Sequence, residues 1–179
     1  MTRILHAWKL IRQGAFMSQI YCSSVVTRIG QVFVLSNEKG VTRIIFGMKE
    51  LRNYLDGLGG AQISEGGPAA EMAREIELYF DGGLTEFRTP IDLTEGTPFQ
   101  RSVWEKLLDI PYGKTATYKD VAEGVGKPGA SRAVGNAVGA NPIPIVIPCH
   151  RVLGAHGLGG YSGGIDIKKD LLRVEGTLS

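Results

Sequence analysis

A cysteine, a histidine and an arginine stand side by side at Cys149, His150 and Arg151, directly after a proline. The thiolate is the nucleophilic form of cysteine, and a helix start or a nearby cationic side chain favours it. A histidine can act as the base for such a thiol when a carboxylate orients it, and Glu175 in the last predicted helix is the candidate. The residues therefore predict a nucleophilic Cys149, although a lone cysteine is usually a small buried hydrophobe.

The segments that flank this cysteine must position it. Residues 142–148 contain three prolines, which exclude a helix or a central strand and predict a rigid, extended, apolar connection. Residues 157–164 form a glycine-rich loop that can close over a flat heteroaromatic base, with Ser162 offering a hydroxyl. A plain connector is the alternative for this loop. Cys22 lies in a strand pattern and is interpreted as structural.

The elements before the cysteine have helical periodicity. Thr97 and Gln100 frame a capping box around Pro98, Thr117 caps a second helix, and a third helix spans about 130–140. The last two form a helix-turn-helix unit. The third helix has small side chains and carries Arg132 as its one cation, so it can approach a phosphate backbone closely. Tight packing between helices is the alternative explanation for the small residues.

The first half instead has the alternation of strands, at 20–28, 31–36 and 41–46, which predicts an antiparallel meander. A loop at 57–68 and a helix at 69–80 follow. The chain is therefore predicted to be an α+β protein in two domains, a small antiparallel sheet domain with a helix at 17–92 and a mostly helical domain at 93–179. Residues 1–16 are predicted to be a disordered or loosely packed extension, with a basic arm that touches DNA as the alternative.

Composition narrows the class of protein. The 43 % of apolar residues and 21 % of charged residues are typical of a soluble globular chain, and the formal charge of +2 neither argues for nor excludes nucleic acid. Basic residues nevertheless outnumber acidic ones by five to two within 113–151. The two cysteines favour a reducing compartment. We expect no membrane span, because no apolar run approaches the ~18 residues that one needs. We expect no metal, because the cysteines and histidines lack the spacing of zinc ligands, and no cofactor.

Taken together, these residues resemble the methylated-DNA–protein-cysteine methyltransferases, also called O6-alkylguanine-DNA alkyltransferases, over about 17–176. The motifs that carry the resemblance are PCHRV at 148–152, NP at 141–142, GYSGG at 160–164, LLRVEG at 171–176, TPFQ at 97–100, IPYG at 110–113 and RAVG at 132–135. It implies an RNase H-like N-terminal domain. It also implies stoichiometric, irreversible transfer of an alkyl group from O6 of guanine, and also from O4 of thymine, in double-stranded DNA. The protein would act as a monomer in the cytoplasm with the nucleoid, or in the nucleus of a eukaryote.

The resemblance also implies roles for single residues. Cys149 would accept the alkyl group, His150 would relay its proton through a water, Glu175 would orient His150, and Asn141 would brace the turn before the cysteine. Tyr118 would push on the target phosphate, and Arg132 would fill the space left by the flipped nucleotide. The other predicted DNA contacts are Ser131, Gly135 and Arg151. The residues predicted to surround the flipped base are Tyr118, Val152, Tyr161 and Ser162.

Three other classes of protein share parts of this pattern. A recognition module of the alkyltransferase-like kind would bind the lesion without repairing it, but such proteins lack the cysteine. A cysteine hydrolase would use Cys149, His150 and Glu175 over many turnovers. A transcription regulator would use the helix-turn-helix to bind one sequence tightly, whereas repair predicts weak sequence preference and strong salt dependence.

Overall fold

The predicted meander forms most of one mixed sheet. In the computed structural model, which describes residues 19–58 and 62–178, β1 (Ile20–Thr27), β2 (Gly30–Ser36) and β3 (Val41–Phe46) are antiparallel neighbours. A two-residue strand, β4 (Ile63–Ser64), pairs with β1 in parallel, so the order is β3-β2-β1-β4. The predicted loop at 57–68 therefore contains a strand. The predicted extension at 1–16 lies outside the described residues.

Both faces of this sheet are covered by helices. Val32 and Val34 of β2 belong to the main apolar core, on the side where α2 (Gly67–Phe80) packs. Phe33 and Leu35 point to the other face and form a second cluster with Leu51 of α1 (Met48–Asp56). Sequence patterning did not predict α1, which has no side-chain cap at its start and buries Leu51 alone.

The second half contains the predicted helices. They are α3 (Pro98–Leu108), α4 (Tyr118–Gly124), α5 (Ser131–Gly139) and α6 (Ile165–Val174), with a short parallel pair formed by β5 (Ala116–Thr117) and β6 (Val152–Leu153). Thr97 and Gln100 form the predicted capping box on α3, and Thr117 forms a second one with Asp120 on α4. The helix-turn-helix prediction is confirmed in α4 and α5.

One apolar core joins the two halves. It runs from Met72 and Ile76 of α2 through Val103 and Leu107 of α3 to the buried segment around Ile147. The indole Nε1 of Trp104 donates to the carbonyl oxygen of Ala137 at 2.8 Å, which fixes α5 against α3. The α+β architecture predicted from the sequence is therefore confirmed. Within the described residues, no helix has the length and apolar character to cross a bilayer.

Candidate active site

Cys149 begins a single 3₁₀ turn, Cys149–Arg151, at the end of the proline-rich segment. The residue is 2 % exposed, so its thiol lies inside the protein rather than on its surface. Its backbone N–H donates to the carbonyl oxygen of Ile147 at 2.7 Å, which turns the chain sharply just before the cysteine. The position of the sulfur is therefore determined by the segment that precedes it.

Asn141 holds both ends of that segment. Its Nδ2 donates to the carbonyl oxygen of Ile147 at 2.8 Å and to the sulfur of Cys149 at 3.0 Å. Its Oδ1 accepts from the backbone N–H of Ile143 at 2.9 Å. One amide group thus uses both donors and its acceptor within eight residues of chain. Asn141 therefore braces the turn as predicted, and it also donates a hydrogen bond directly to the sulfur of Cys149, which favours the thiolate.

The segment is a tight turn, and the prediction of an extended connection is wrong in this respect. The backbone N–H of Ile147 donates to the carbonyl oxygen of Ile143 at 2.9 Å, which closes the turn. Ile145 has a φ of 76°, a left-handed conformation that costs a β-branched residue about 1–3 kcal/mol. Ile145 is fully buried, and burial of an isoleucine stabilises by about 1.5–3 kcal/mol. The apolar core therefore offsets the strain of the turn that presents Cys149.

The carboxylate of Glu175 is buried behind the cysteine and accepts hydrogen bonds from four residues. His150 Nε2 lies 2.7 Å from Oε1, and the hydroxyl of Tyr79 donates to the same oxygen at 2.8 Å. Arg151 Nε donates to Oε2 at 2.9 Å, and the backbone N–H of Gly113 donates there at 3.2 Å. Burial raises the pKa of Glu175, but the hydrogen bonds from His150 and Arg151 outweigh it and lower the pKa to about 2. The carboxylate is therefore ionised.

This carboxylate fixes the tautomer of His150. Because Glu175 can only accept, His150 Nε2 must carry the proton, and Nδ1 is then the free basic nitrogen of the neutral ring. Nδ1 is buried and has no hydrogen-bond partner among the described residues. Burial lowers the pKa of His150, despite the opposing effect of Glu175. The ring is therefore neutral near pH 7 and can accept a proton.

The surroundings of Cys149 keep its thiol protonated. Burial raises the pKa of Cys149, and the hydrogen bond from Asn141 and the charge of Lys168 offset this only in part. The hydroxyl of Tyr161 is near enough to influence the titration of the sulfur, but it does not reach hydrogen-bond geometry. The resting group is therefore a protonated thiol, which needs a base such as His150 at the moment of reaction.

Arg151 does not have the DNA-contacting role that the resemblance implied for it. Its guanidinium is turned away from the sulfur and bonds to Glu175, and Nη1 donates to the carbonyl oxygen of Ile110. The residue is 6 % exposed, so its side chain is not available to a DNA backbone. The prediction that Arg151 contacts DNA is therefore wrong, because its charge serves as the buried counter-ion of the carboxylate.

Lys168 is a buried residue of the site that the sequence analysis missed. Its Nζ donates to the carbonyl oxygens of Val152 at 2.6 Å, Leu158 at 2.5 Å and Gly160 at 3.5 Å. Burial lowers the pKa of Lys168 to about 8. The lysine thus ties α6 to the loop that closes the site. A sequence signal existed, because Lys168 shares one helix face with the buried Leu171 and Leu172.

A cavity of about 220 Å³ opens onto the sulfur. Its lining includes three of the predicted pocket residues and several small residues, namely Tyr118, Gly135, Val138, Gly139, Cys149, Gly160, Tyr161 and Ser162. Val152, predicted for this pocket, does not line it, because its side chain is fully buried and its backbone pairs with Ala116. A larger cavity of about 740 Å³ touches Pro148 and Arg151 but not Cys149. The smaller cavity is therefore the one that can hold a reacting group.

The face of α5 beside this cavity carries the remaining predicted DNA contacts. Arg132 is exposed on the first turn of the helix, next to the half-buried Ser131. Gly135 lies one turn further along and faces the ring of Tyr118 across the mouth of the cavity. Gly135 lines the cavity, and Arg132 stands three residues before it, on the same face of α5. The described residues hold no group of three or more metal-ligating side chains.

Comparison with known proteins agrees with this geometry. Residues 98–177 match the family description "6-O-methylguanine DNA methyltransferase, DNA binding domain", and residues 20–93 match its ribonuclease-like domain. A methylated-DNA–protein-cysteine methyltransferase of Methanosarcina barkeri is 43 % identical over 159 residues, which are 87 % of this chain and 97 % of that protein.

Solved structures give the same result. The crystal structure of Mycobacterium tuberculosis OGT in complex with DNA superposes with a TM-score of 0.76 at 39 % identity, over 88 % of this chain and 92 % of that one. The O6-methylguanine-DNA methyltransferase of Pyrococcus kodakaraensis superposes with a TM-score of 0.67 at 27 % identity, over 88 % and 99 % of the two chains. The chain therefore belongs to the 6-O-methylguanine DNA methyltransferase family.

Proposed function

We propose that this protein repairs DNA by direct reversal, with Cys149 as the acceptor of an alkyl group from O6 of guanine and, as a second substrate, O4 of thymine. The observation that carries the proposal is a buried thiol that lines a cavity of 220 Å³ and stands next to a neutral His150 bound to an ionised carboxylate. Family membership supports it, since the relatives are named for this transfer to a protein cysteine.

The reaction balances without a cofactor. The thiol proton of Cys149 passes through a water to Nδ1 of His150, and Glu175 stabilises the resulting imidazolium. The thiolate attacks the alkyl carbon, so a carbon–sulfur bond forms as the carbon–O6 bond breaks and its electron pair passes to guanine. A proton donated to the purine, for which the Tyr118 hydroxyl is a candidate, restores neutral guanine. The proton held by His150 then returns through water to Tyr118, so that both side chains end neutral. The thioether is a poor leaving group, so each molecule reacts once.

The alkylated base must leave the duplex to reach this thiol. Extrusion costs a few kcal/mol, and an inserted side chain offsets part of the lost stacking. Arg132 is exposed, one turn before the cavity-lining Gly135, and is suited to that insertion. Tyr118 at the cavity mouth is suited to push on the target phosphate, and Tyr161 and Ser162 to contact the flipped base.

Double-stranded DNA that contains the lesion is the partner that follows from this proposal. The complex of Mycobacterium tuberculosis OGT with DNA, at 39 % identity to this chain, supports DNA as a partner. We further propose that the protein acts as a monomer, in the cytoplasm with the nucleoid or in the nucleus of a eukaryote. The domain boundaries at 17–92 and 93–179 are likewise proposals.

The repaired DNA provides the test. A duplex with one O6-methylguanine is mixed in excess with the protein, and the mass of the DNA strand is followed. We expect one strand to lose its methyl group for each protein molecule, and then no further reaction. Cys149→Ser should restore no guanine, whereas the matched variant Cys22→Ser should restore the same amount as the unchanged protein. Restoration of many strands per molecule would instead indicate a turning-over enzyme and overturn the proposal.

A further inference from the structure

The hydroxyl of Tyr79 connects the N-terminal half of the protein to the acid–base pair. Tyr79 lies near the end of α2, is fully buried, and donates to Oε1 of Glu175 at 2.8 Å. His150 bonds to the same oxygen at 2.7 Å. The sequence predicted the helix that contains Tyr79 but no role for its hydroxyl. The overlooked signal is that a buried tyrosine hydroxyl requires a polar partner.

The ring of Tyr79 has little freedom to move. It packs against Phe80, Phe87 and Tyr112, with ring centroids 5.3, 5.6 and 5.9 Å away. Its hydroxyl is a hydrogen-bond donor to an ionised acceptor, and such bonds are stronger than neutral ones. Burial, reinforced by Glu175, raises the pKa of Tyr79, so the hydroxyl keeps its proton and continues to donate.

This geometry has a direct electrostatic consequence for His150. Each hydrogen bond donated to Oε1 withdraws electron density from the oxygen that also holds the imidazole proton. A carboxylate with an additional donor is a weaker acceptor and stabilises the imidazolium less. We propose that Tyr79 is a positioning residue of the alkyl-transfer site, through which the N-terminal half fixes Glu175 and limits its pull on the His150 proton.

The other charged groups around the pair are fixed in place. Arg151 binds both oxygens of Glu175, and Lys168 acts on His150 through its charge. Tyr112 directs its hydroxyl to the carbonyl oxygen of Val174 at 2.7 Å rather than to the carboxylate. Tyr112→Phe is therefore a matched control, because it removes one tyrosine hydroxyl bond at the same end of α6 without changing the donors on Oε1.

The test is an NMR titration of the histidine rings in the full chain, without substrate. The unchanged protein, Tyr79→Phe and Tyr112→Phe are compared, and a His150→Asn variant assigns the His150 signal. In Tyr79→Phe we expect the titration midpoint of His150 to rise by about half a unit to one unit, which corresponds to the net worth of one hydrogen bond. In Tyr112→Phe the midpoint should stay where it is in the unchanged protein. The rate of alkyl transfer should show the same difference, with its acidic limb moved to higher pH in Tyr79→Phe alone.

Two results would overturn this inference. The His150 midpoint could be the same in Tyr79→Phe as in the unchanged protein, or it could move equally in both tyrosine variants, which would indicate a merely structural role. Only the expected change in the rate of alkyl transfer rests on the proposed function; the shift of the His150 midpoint does not. A chain that transfers no alkyl group but shows the shifted midpoint would contradict the proposed function and leave the link between Tyr79 and His150 standing.

Discussion

The residues proposed to carry out the reaction and the residues proposed to contact DNA differ in their burial and in their hydrogen bonding. Around Glu175 the polar groups are buried and held by several hydrogen bonds at once. On the surface of α5, by contrast, Arg132 is exposed to solvent. We infer that the reacting groups are arranged before DNA binds, whereas the recognition surface takes its final form on the duplex. Variants of the two regions should therefore fail in different ways.

The largest effect is expected when the charge of Glu175 is removed. Glu175→Gln keeps the shape of the side chain but leaves the buried guanidinium of Arg151 without a counter-ion, which should cost about 3–5 kcal/mol of stability. Loss of the carboxylate partner of His150 should slow alkyl transfer at neutral pH by about a hundredfold or more. Denaturant unfolding and single-turnover kinetics measure the two losses. A variant with normal stability would contradict the buried ion pair.

The same residue predicts how stability depends on acid. The pKa of Glu175 is about 2 in the folded protein, below its ordinary value of 4.5, so its contribution is complete above pH 4.5 and is lost as the pH falls towards 2. The difference corresponds to about 3 kcal/mol. Unfolding measured from pH 6 to pH 2 should show this loss in the unchanged protein and lack it in Glu175→Gln. Parallel profiles in the two proteins would be evidence against a strongly acidic Glu175.

A smaller effect is expected at Lys168, which links the two regions. Lys168→Met keeps the buried stem but leaves three carbonyl oxygens without their donor, at a cost of about 1–3 kcal/mol. Because the loop at 154–160 closes the site for any substrate, transfer should slow equally for duplex DNA and for free O6-benzylguanine. Rates with the two substrates provide the measurement. A defect limited to duplex DNA would mean that the lysine acts on recognition instead.

Arg132→Ala should separate recognition from chemistry. If Arg132 replaces the extruded base, its loss should slow repair of duplex DNA by about ten- to a hundredfold, since extrusion costs a few kcal/mol. Reaction with free O6-benzylguanine should be unchanged. Lys127→Ala is the control, because it removes an exposed charge from the turn before α5 without touching the inserted group. It should reduce the salt dependence of binding by about one unit of slope. Equal losses with both substrates in Arg132→Ala would contradict the insertion.

The smallest effect is expected at two matched helix caps. Thr117 and Thr97 each accept from the third residue of a helix, and replacement of either by alanine should cost about 1 kcal/mol. Only Thr117 precedes Tyr118 at the cavity mouth, so only Thr117→Ala should also slow repair of duplex DNA. Thermal unfolding and duplex repair rates compare the two variants. A similar slowing in Thr97→Ala would show that the effect is one of general stability.

The elements of the fold were largely predictable because their signals are local. The capping residues Thr97 and Thr117 mark the starts of α3 and α4 in the sequence itself. Helix α1 was missed because it has no capping side chain and is fixed by contact of Leu51 with Phe33 and Leu35 across the sheet. Its stability comes from tertiary packing, which no local pattern contains.

The residues of the candidate site were predictable only where they belong to a local sequence motif. The motif around Cys149 predicts the reacting groups, but it could not show that Arg151 turns inward to Glu175. Lys168 and Tyr79 were missed because their partners lie 16 and 96 residues away along the chain. Hydrogen bonds between residues so far apart depend on the folded arrangement of the chain. The left-handed conformation of Ile145 was not predictable either, because a β-branched residue rarely adopts it.

Mass spectrometry of the protein itself tests the central claim most directly. The chain is mixed with duplex DNA that contains one O6-methylguanine, and the intact protein and its peptides are then weighed. We predict a gain of one methyl group per molecule, located on the peptide that contains Cys149 and absent from the peptide that contains Cys22. No gain in mass, or a methyl group on any other residue, would contradict the assignment of Cys149 as the alkyl acceptor.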